Sequence, residues 1–274
     1  MARLQIIPFL ALFSALLLNA TEVPNGKTAL FEFPSAEQGR FITYDGKRIP
    51  LLTHPRDPKR QIALVPVPYR SEPGDKNVLL CCDDRQEALP FCVVNGDYAF
   101  ETLQVDPSKV TPNPKQKKRI AREYREAMEI YAIFTPERYW NTPFALPMQT
   151  AITSRYGTAR LFNGSLKSFH SGTDFRAKTG TPIEAVNDGV VVLAKERYYA
   201  GNSVVIDHGE GLYSCYYHLS RIDVTPGQHI TKNTCLGLSG KSGRVTGPHL
   251  HFAFMLHGVQ VDPLQLIETV NTLF

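Results

Sequence analysis

His249-Leu250-His251-Phe252-Ala253-Phe254-Met255-Leu256 is an apolar run broken only by two histidines two residues apart. Side chains at i and i+2 of a β-strand point to the same face. The run therefore reads as a strand that aims both imidazoles at one place. Similar short runs surround it: AITSRYG (151–157), GTPIEAVN (180–187), GVVVLAKER (189–197), SVVIDHG (203–209), YSCYYHL (213–219) and TCLGLSG (234–240). Beyond residue 140, apolar periodicity of 3.6 residues appears only at Leu264 to Phe274. The segment from about residue 141 is thus expected to be an antiparallel β-sheet.

A second motif supplies partners for those histidines. FHSGTDF (169–175) places His170 and Asp174 on either side of Ser-Gly-Thr, which is turn chemistry and not helix. Zinc favours four-coordinate sites of imidazole nitrogen and carboxylate oxygen, and a catalytic site leaves one position open. His170, Asp174 and one histidine of the later pair would give three ligands. A lone His-x-His is usually an accident. The glycine-rich frame GLSGKSGRVTGPHLHF (237–252) and the intervening Tyr216-Tyr217-His218-Leu219 argue against accident here.

These residues, with SRYG (154–157), GTPIEAVNDGVVV (180–192), NSVVIDHGEGLYSCYYHL (202–219), VTPGQHI (224–230) and VDP (261–263), resemble the lysostaphin-like zinc metalloendopeptidases that cleave peptidoglycan. The resemblance spans about residues 145 to 265. It implies that His170, Asp174 and His251 bind Zn²⁺ and that His249 and His218 are the non-ligand catalytic histidines. It also implies a peptidoglycan peptide as substrate and a role in cell wall remodelling, while a secretory leader without wall-sorting or repeat-binding segments favours direct D,D-bonds over glycine bridges. Ala253 departs from the acidic residue the family often carries there. The alternative is a metal-free degenerate relative that binds the wall and activates another hydrolase; retention of all five residues speaks against it.

No His-Glu-x-x-His helix supplies a glutamate base, so a histidine, with a pKa of about 6.5, is expected to take that role. His249 is assigned the base because its strand aims it at the reacting water. His218 would hydrogen-bond the oxyanion or shuttle the proton, and sequence alone leaves the two roles exchangeable. Tyr156 is a third oxyanion candidate, equally readable as a packed core residue. His208, His229 and His257 read as loop or surface histidines, Asp207 as a turn cap, and Arg244 as solvated in preference to meeting a substrate carboxylate. Loops 161–169, 196–202, 221–228 and 240–247 are expected to wall a groove.

The 274 residues suit two domains, and 43% hydrophobic content allows both a core. A net charge of +4 without a basic run interleaved with aromatics excludes nucleic-acid binding as the expected function. Residues 1–20 read as a secretory signal: Arg3, an apolar run from Leu4 to Leu18, then Ala20. Export to the periplasm or cell envelope follows, with a membrane tether only if the leader is retained. The run is shorter than the ~20 residues of a membrane span. The five cysteines, at positions 81, 82, 92, 215 and 235, read by default as buried free thiols, with a Cys215–Cys235 bridge as the alternative and Cys215 facing away from the groove.

Residues 21–108 carry short strand-like runs separated by turn signals such as Asn25-Gly26 and Asn95-Gly96 and read as a small β-sandwich. Pro66 and Pro68 point to an edge strand. Residues 109–140 read as a proline- and lysine-rich linker followed by a helix from about Lys115 to Phe134. Its expected buried stripe is Ile120, Tyr124, Ala127, Tyr131 and Phe134. Residues 141–274 form the metallopeptidase domain. On this reading the N-terminal domain, folding back on its linker, is a gate over the groove, or else a spacer or wall-docking unit, and oligomeric state is left open.

Overall fold

The structure, a computed structural model, describes residues 21–35, 41–82, 86–104, 110–164 and 166–274. The residues read as a secretory leader lie outside that set. Among the described residues no helix is long and apolar enough to cross a membrane. Nine strands come first: β1 (Glu22–Pro24), β2 (Thr28–Pro34), β3 (Phe41–Tyr44), β4 (Lys47–Pro50), β5 (Leu52–Thr53), β6 (Arg60–Pro66), β7 (Gly74–Cys81), β8 (Gln86–Val94) and β9 (Phe100–Leu103). Helix α1 (Pro114–Tyr131) follows. Then come β10 (Ile152–Ser154), β11 (Ala159–Phe162), β12 (Leu166–Phe169), β13 (Thr173–Arg176), β14 (Pro182–Glu184), β15 (Gly189–Arg197) and β16 (Gly201–Asp207). Last are β17 (Leu212–Ile222), β18 (His229–Ile230), β19 (Cys235–Ser239), β20 (His249–Leu256), β21 (Val259–Val261) and helix α2 (Pro263–Asn271).

A five-stranded sheet, β1-β8-β7-β3-β4, faces the three-stranded sheet β2-β6-β5. Ile42, Val78, Phe91 and Val93 of the first pack on Ala29, Ala63 and Val65 of the second, so the N-terminal segment is the expected sandwich. Strand β6 is buried on both faces. Ala63 and Val65 enter the sandwich, whereas Ile62 and Leu64 enter the main core beside Trp140, Phe254, Leu256 and Leu266. β6 is therefore central, not an edge. Pro66 is accommodated because β5 pairs only with Gln61 and Ile62, leaving β2 as the single neighbour at Pro66. A residue without an N–H fits where one flank is free.

The sandwich is fixed to the rest of the chain. Thr28 N–H donates to Gln265 Oε1 (2.8 Å), Gln265 Nε2 donates to Thr28 O (2.9 Å), and Asp262 N–H donates to Gly26 O (2.8 Å). Strand β9 leaves the sandwich and pairs parallel with β11 in the sheet β12-β11-β9. Sheet pairing thus crosses the boundary expected at residue 108.

Helix α1 opens on a reciprocal cap: Asn113 Oδ1 accepts from Gln116 N–H (2.9 Å), and Gln116 Oε1 accepts from Asn113 N–H (2.8 Å). Its buried face is Glu123, Ala127 and Tyr131. Two members of the expected stripe are in solvent, Tyr124 at 63% and Phe134 at 39% exposure. The Glu123 carboxylate accounts for the rotation, because it accepts from Arg119 Nε (2.5 Å) and from Tyr198 N–H (2.8 Å).

The C-terminal ten-stranded sheet is antiparallel and runs β10-β13-β20-β17-β16-β15-β18, with β14, β19 and β21 branching from that path. Leu250, Phe252, Phe254 and Leu256 of β20 enter the main core. Ala253 and Met255, on the other face, lie under Ala127 and Tyr131 of α1. Cover on both faces explains a continuous apolar run where a half-exposed strand would alternate.

Candidate metal centre

Antiparallel pairing of β13 with β20 sets Asp174 opposite His251 and Arg176 opposite His249. Both histidines therefore share the face of Asp174, as the two-residue spacing predicts. His170 arrives from the turn before β13, where His170 N–H donates to Thr158 O and Gly157 N–H to His170 O, each at 2.8 Å. Gly172 lets this turn close on β20. A Cβ there would lie 2.4 Å from Phe252 O and 2.6 Å from His251 Nε2.

Three atoms converge. His170 Nε2, Asp174 Oδ1 and His251 Nδ1 are each 2.9 Å from the other two. The residues are 1%, 7% and 7% exposed. His170 Nδ1 sits 2.9 Å from Arg155 O, and a carbonyl can only accept, so Nδ1 carries the proton and Nε2 presents a lone pair. A buried group of mutually facing acceptors holds one cation far better than it holds itself. The donor set, two imidazoles and one carboxylate, fits a borderline ion with an open fourth position. Burial would raise the Asp174 pKa, but any proton taken up on the facing His170 or His251 nitrogen hydrogen-bonds its carboxylate and, with that charge, holds it well below the carboxylate range. Burial pushes His251 down to about 4, partly opposed by Asp174.

The second carboxylate oxygen is also held. Arg160 Nη2 donates to Asp174 Oδ2 (3.2 Å) and to Ser154 Oγ (3.0 Å), and Arg160 Nε donates to Glu101 Oε1 (2.5 Å). Glu101 lies on β9, so the N-terminal segment helps orient a candidate ligand. Sequence reasoning missed Arg160, Glu101 and Ser154. Only the β9–β11 pairing brings Glu101 there, and no local motif announces it.

His218 reaches the site through a β-bulge. The β16–β17 register slips by one residue between Tyr216 and Leu219, both of which are buried in the main core. Tyr217 and His218 between them both face the cleft. The His218 φ of 67° is left-handed, a conformation few residues without glycine's freedom adopt. His218 Nδ1 donates to Ser242 O (2.8 Å) and His249 Nδ1 to Gly247 O (2.9 Å). Both rings thereby turn Nε2 lone pairs to the cleft, with centroids 5.0 Å apart, and His249 Nε2 is 3.6 Å from Asp174 Oδ1. Burial, then the neighbouring His251 and His249, push the His218 pKa to about 3.

The bulge also corrects the expected direction of Cys215. It pairs with Ala253 on the same sheet face as His251, buried beneath Tyr131 of α1, instead of facing away. All five cysteines are free; Cys235 is exposed and Cys82 and Cys92 are half-buried, where all were expected inside. Tyr156 does not line the cleft and donates to Gln260 O (3.2 Å). Tyr217 lines the cleft, with its ring stacked 5.5 Å from His251.

His208 lies in the β16–β17 turn, as expected, but is fully buried and not at the surface. Its Nδ1 donates to Asp188 O (2.6 Å) and its Nε2 accepts from Ser214 Oγ (2.7 Å). Asp207 caps its turn as expected, accepting from Gly209 N–H (2.8 Å). The cleft encloses about 390 Å³ and is walled by segments 161–169, 196–202 and 240–247, together with Glu101 and Leu103. Loop 221–228 takes no part in it.

A buried His/Asp/His cluster with two flanking histidines on an antiparallel sheet defines a metallopeptidase-type centre. The chain belongs to peptidase family M23, whose family model matches residues 168–263. A solved structure assigned to peptidase M23 from Pseudomonas aeruginosa is 30% identical, with a TM-score of 0.70 over 89% of this chain and 94% of that one. Peptidoglycan DD-endopeptidase ShyA of Vibrio cholerae is 47% identical over 96 residues, 35% of this chain and 22% of that protein. Peptidoglycan DD-endopeptidase ShyC of the same organism is 39% identical over 114 residues, 41% of this chain and 26% of that protein. The chain thus spans about a quarter of the length of these two relatives.

Proposed function

We propose that this chain is a zinc-dependent endopeptidase that hydrolyses peptide cross-links or stem peptides of bacterial peptidoglycan, D,D-bonds foremost, after export to the periplasm or cell envelope. The carrying observation is the triangle of His170 Nε2, Asp174 Oδ1 and His251 Nδ1 with two histidines that turn free Nε2 atoms to the same cleft. The names of the two V. cholerae relatives support the substrate class. When bound, zinc supplies Lewis-acid polarisation of a carbonyl and makes water acidic near neutral pH.

The protein's own contribution is proton handling and orientation. His249 Nε2, with its other nitrogen pinned to Gly247 O, is an acceptor for the proton of the attacking water. The water oxygen bonds to the scissile carbonyl carbon, the C–N bond breaks, and the proton passes to the leaving amine. His218, pinned in the same tautomer, can only accept a hydrogen bond at Nε2 while neutral. That favours proton shuttling over donation to the oxyanion. The metal-free degenerate reading has no feature in its favour, since all five residues meet in one cleft.

The test is mass spectrometry of muropeptides after digestion with purified, zinc-loaded protein, with zinc content measured alongside. Expected are about one zinc per chain and loss of cross-linked dimers. Bound zinc without any new product would reject the hydrolytic reading; an absence of zinc uptake would reject the metal.

A further inference from the structure

The Arg244 guanidinium is held between two rings at one end of the cleft, 4.7 Å from the Phe162 centroid and 4.4 Å from the Tyr199 centroid. Its main chain is fixed too, since Arg244 N–H donates to Tyr199 O (2.8 Å). The side chain is half-buried, not solvated as its sequence context suggested. Arg160 in the same cleft has Glu101 and Asp174 as carboxylate partners, whereas no carboxylate among the described residues pairs with Arg244. A partly desolvated cation without an anion is unfavourable. Two aromatic contacts offset part of that cost and hold the planar fork in one orientation. Such a fork matches a carboxylate through two parallel hydrogen bonds.

We propose that Arg244 is a specificity-determining residue that binds a carboxylate of the substrate peptide one or two residues from the scissile bond. This rests on the peptidoglycan-peptide reading, whose stem peptides carry free carboxylates. The spacing comes from β11, where Arg160 and Phe162 face the cleft two residues apart, about 7 Å along the strand. Arg160 meets ligand Asp174 and Phe162 meets Arg244, so the carboxylate site lies about that far from the reacting centre. An extended peptide advances about 3.4 Å per residue.

The test is equilibrium binding to the full-length, zinc-loaded protein. The probe is a cross-linked stem-peptide dimer whose cross-link amide is replaced by a non-hydrolysable ketomethylene, prepared with free or with amidated carboxylates. Wild-type protein is expected to bind the free acid about 10–100-fold more tightly, the range of a charge-assisted hydrogen bond. Arg244→Gln should erase that preference and Arg244→Lys restore part of it. Equal binding of acid and amide by wild type, a preference that survives in Arg244→Gln, or no binding of either form overturns the proposal. A preserved acid preference in a protein that releases no new muropeptides would instead reject the hydrolytic reading and leave this one standing.

Discussion

A chain that begins at Tyr139 should be a weaker protein and a slower enzyme than the full chain, the opposite of what a swinging gate predicts. Such a truncation removes Leu52, Ile62 and Leu64, which are 5%, 0% and 0% exposed and belong to the main core. At about 1.5–3 kcal/mol for each fully buried aliphatic side chain, their loss costs about 5–9 kcal/mol. The reference to an extended unfolded chain makes that an upper figure. The Thr28–Gln265 hydrogen bonds go as well, and so does the α1 cover over Tyr213 and Met255. A domain of this size has about 5–15 kcal/mol in total. Glu101, which holds Arg160 against Asp174, is lost in the same cut. Calorimetry at saturating zinc should place the truncated midpoint ~10 °C or more below that of the full chain, at a few degrees per kcal/mol. Peptidoglycan solubilisation should fall with it. Leu64→Ala in the full chain gives a graded check at about 2–5 kcal/mol. A truncated form that melts within about 5 °C of the full chain and digests faster would refute the shared-core argument and restore the gate.

His251→Ala should abolish zinc uptake, whereas His249→Ala should retain zinc and lose at least ~100-fold in activity, as removal of a general base does; zinc titration with turnover measurement reads both, and loss of zinc in His249→Ala alone would invert the assignment. His208 stays neutral in the fold to about pH 4, because burial opposes its charge, while in the unfolded chain it protonates below about 6.5. The unfolded state then binds the extra proton, so stability should fall by up to about 3 kcal/mol from pH 6.5 to 4 and level off below, a slope that denaturant titrations in chelator should find missing in His208→Gln. Cys235 should react first with iodoacetamide on the native protein, with Cys81 and Cys215 protected until unfolding, as peptide mapping would show.

The candidate ligand cluster was legible in two local pieces, the two-residue strand period of His249 and His251 and the four-residue turn of His170 and Asp174, which the β13–β20 pairing joins. What was not legible depends on contacts between distant segments. The direction of Cys215 could not be read, because one inserted residue at Tyr217-His218 reverses the alternation of β17. Tyr124 and Phe134 fit the apolar stripe of α1, but the Glu123 carboxylate and its partners Arg119 and Tyr198 decide the buried face. Pro66 suggested an edge because sequence does not show that β5 ends before reaching it. The sandwich was correctly anticipated, yet its second function as core for the catalytic sheet was invisible. The alternation Ile62-Ala63-Leu64-Val65 is apolar on both faces, and that signal allows two partners without naming either.

Backbone carbonyls set the proton positions in this site. Arg155, Ser242 and Gly247 each offer a carbonyl oxygen to the Nδ1 of a different histidine, so three imidazoles are forced into one tautomer with Nε2 as the working atom. The glycine-rich frame around the second histidine pair then has a chemical purpose beyond flexibility. Gly201 has a φ of 64°, and a Cβ there would lie 2.2 Å from Ser242 Oγ. That contact lets the β15–β16 turn support the loop whose Ser242 carbonyl pins His218. A side chain at this position would move the carbonyl before it touched any catalytic group. On the proposed mechanism the arrangement of loops 196–202 and 240–247 therefore belongs to the acid–base machinery, and the same loops carry Tyr199 and Arg244 at the cleft wall.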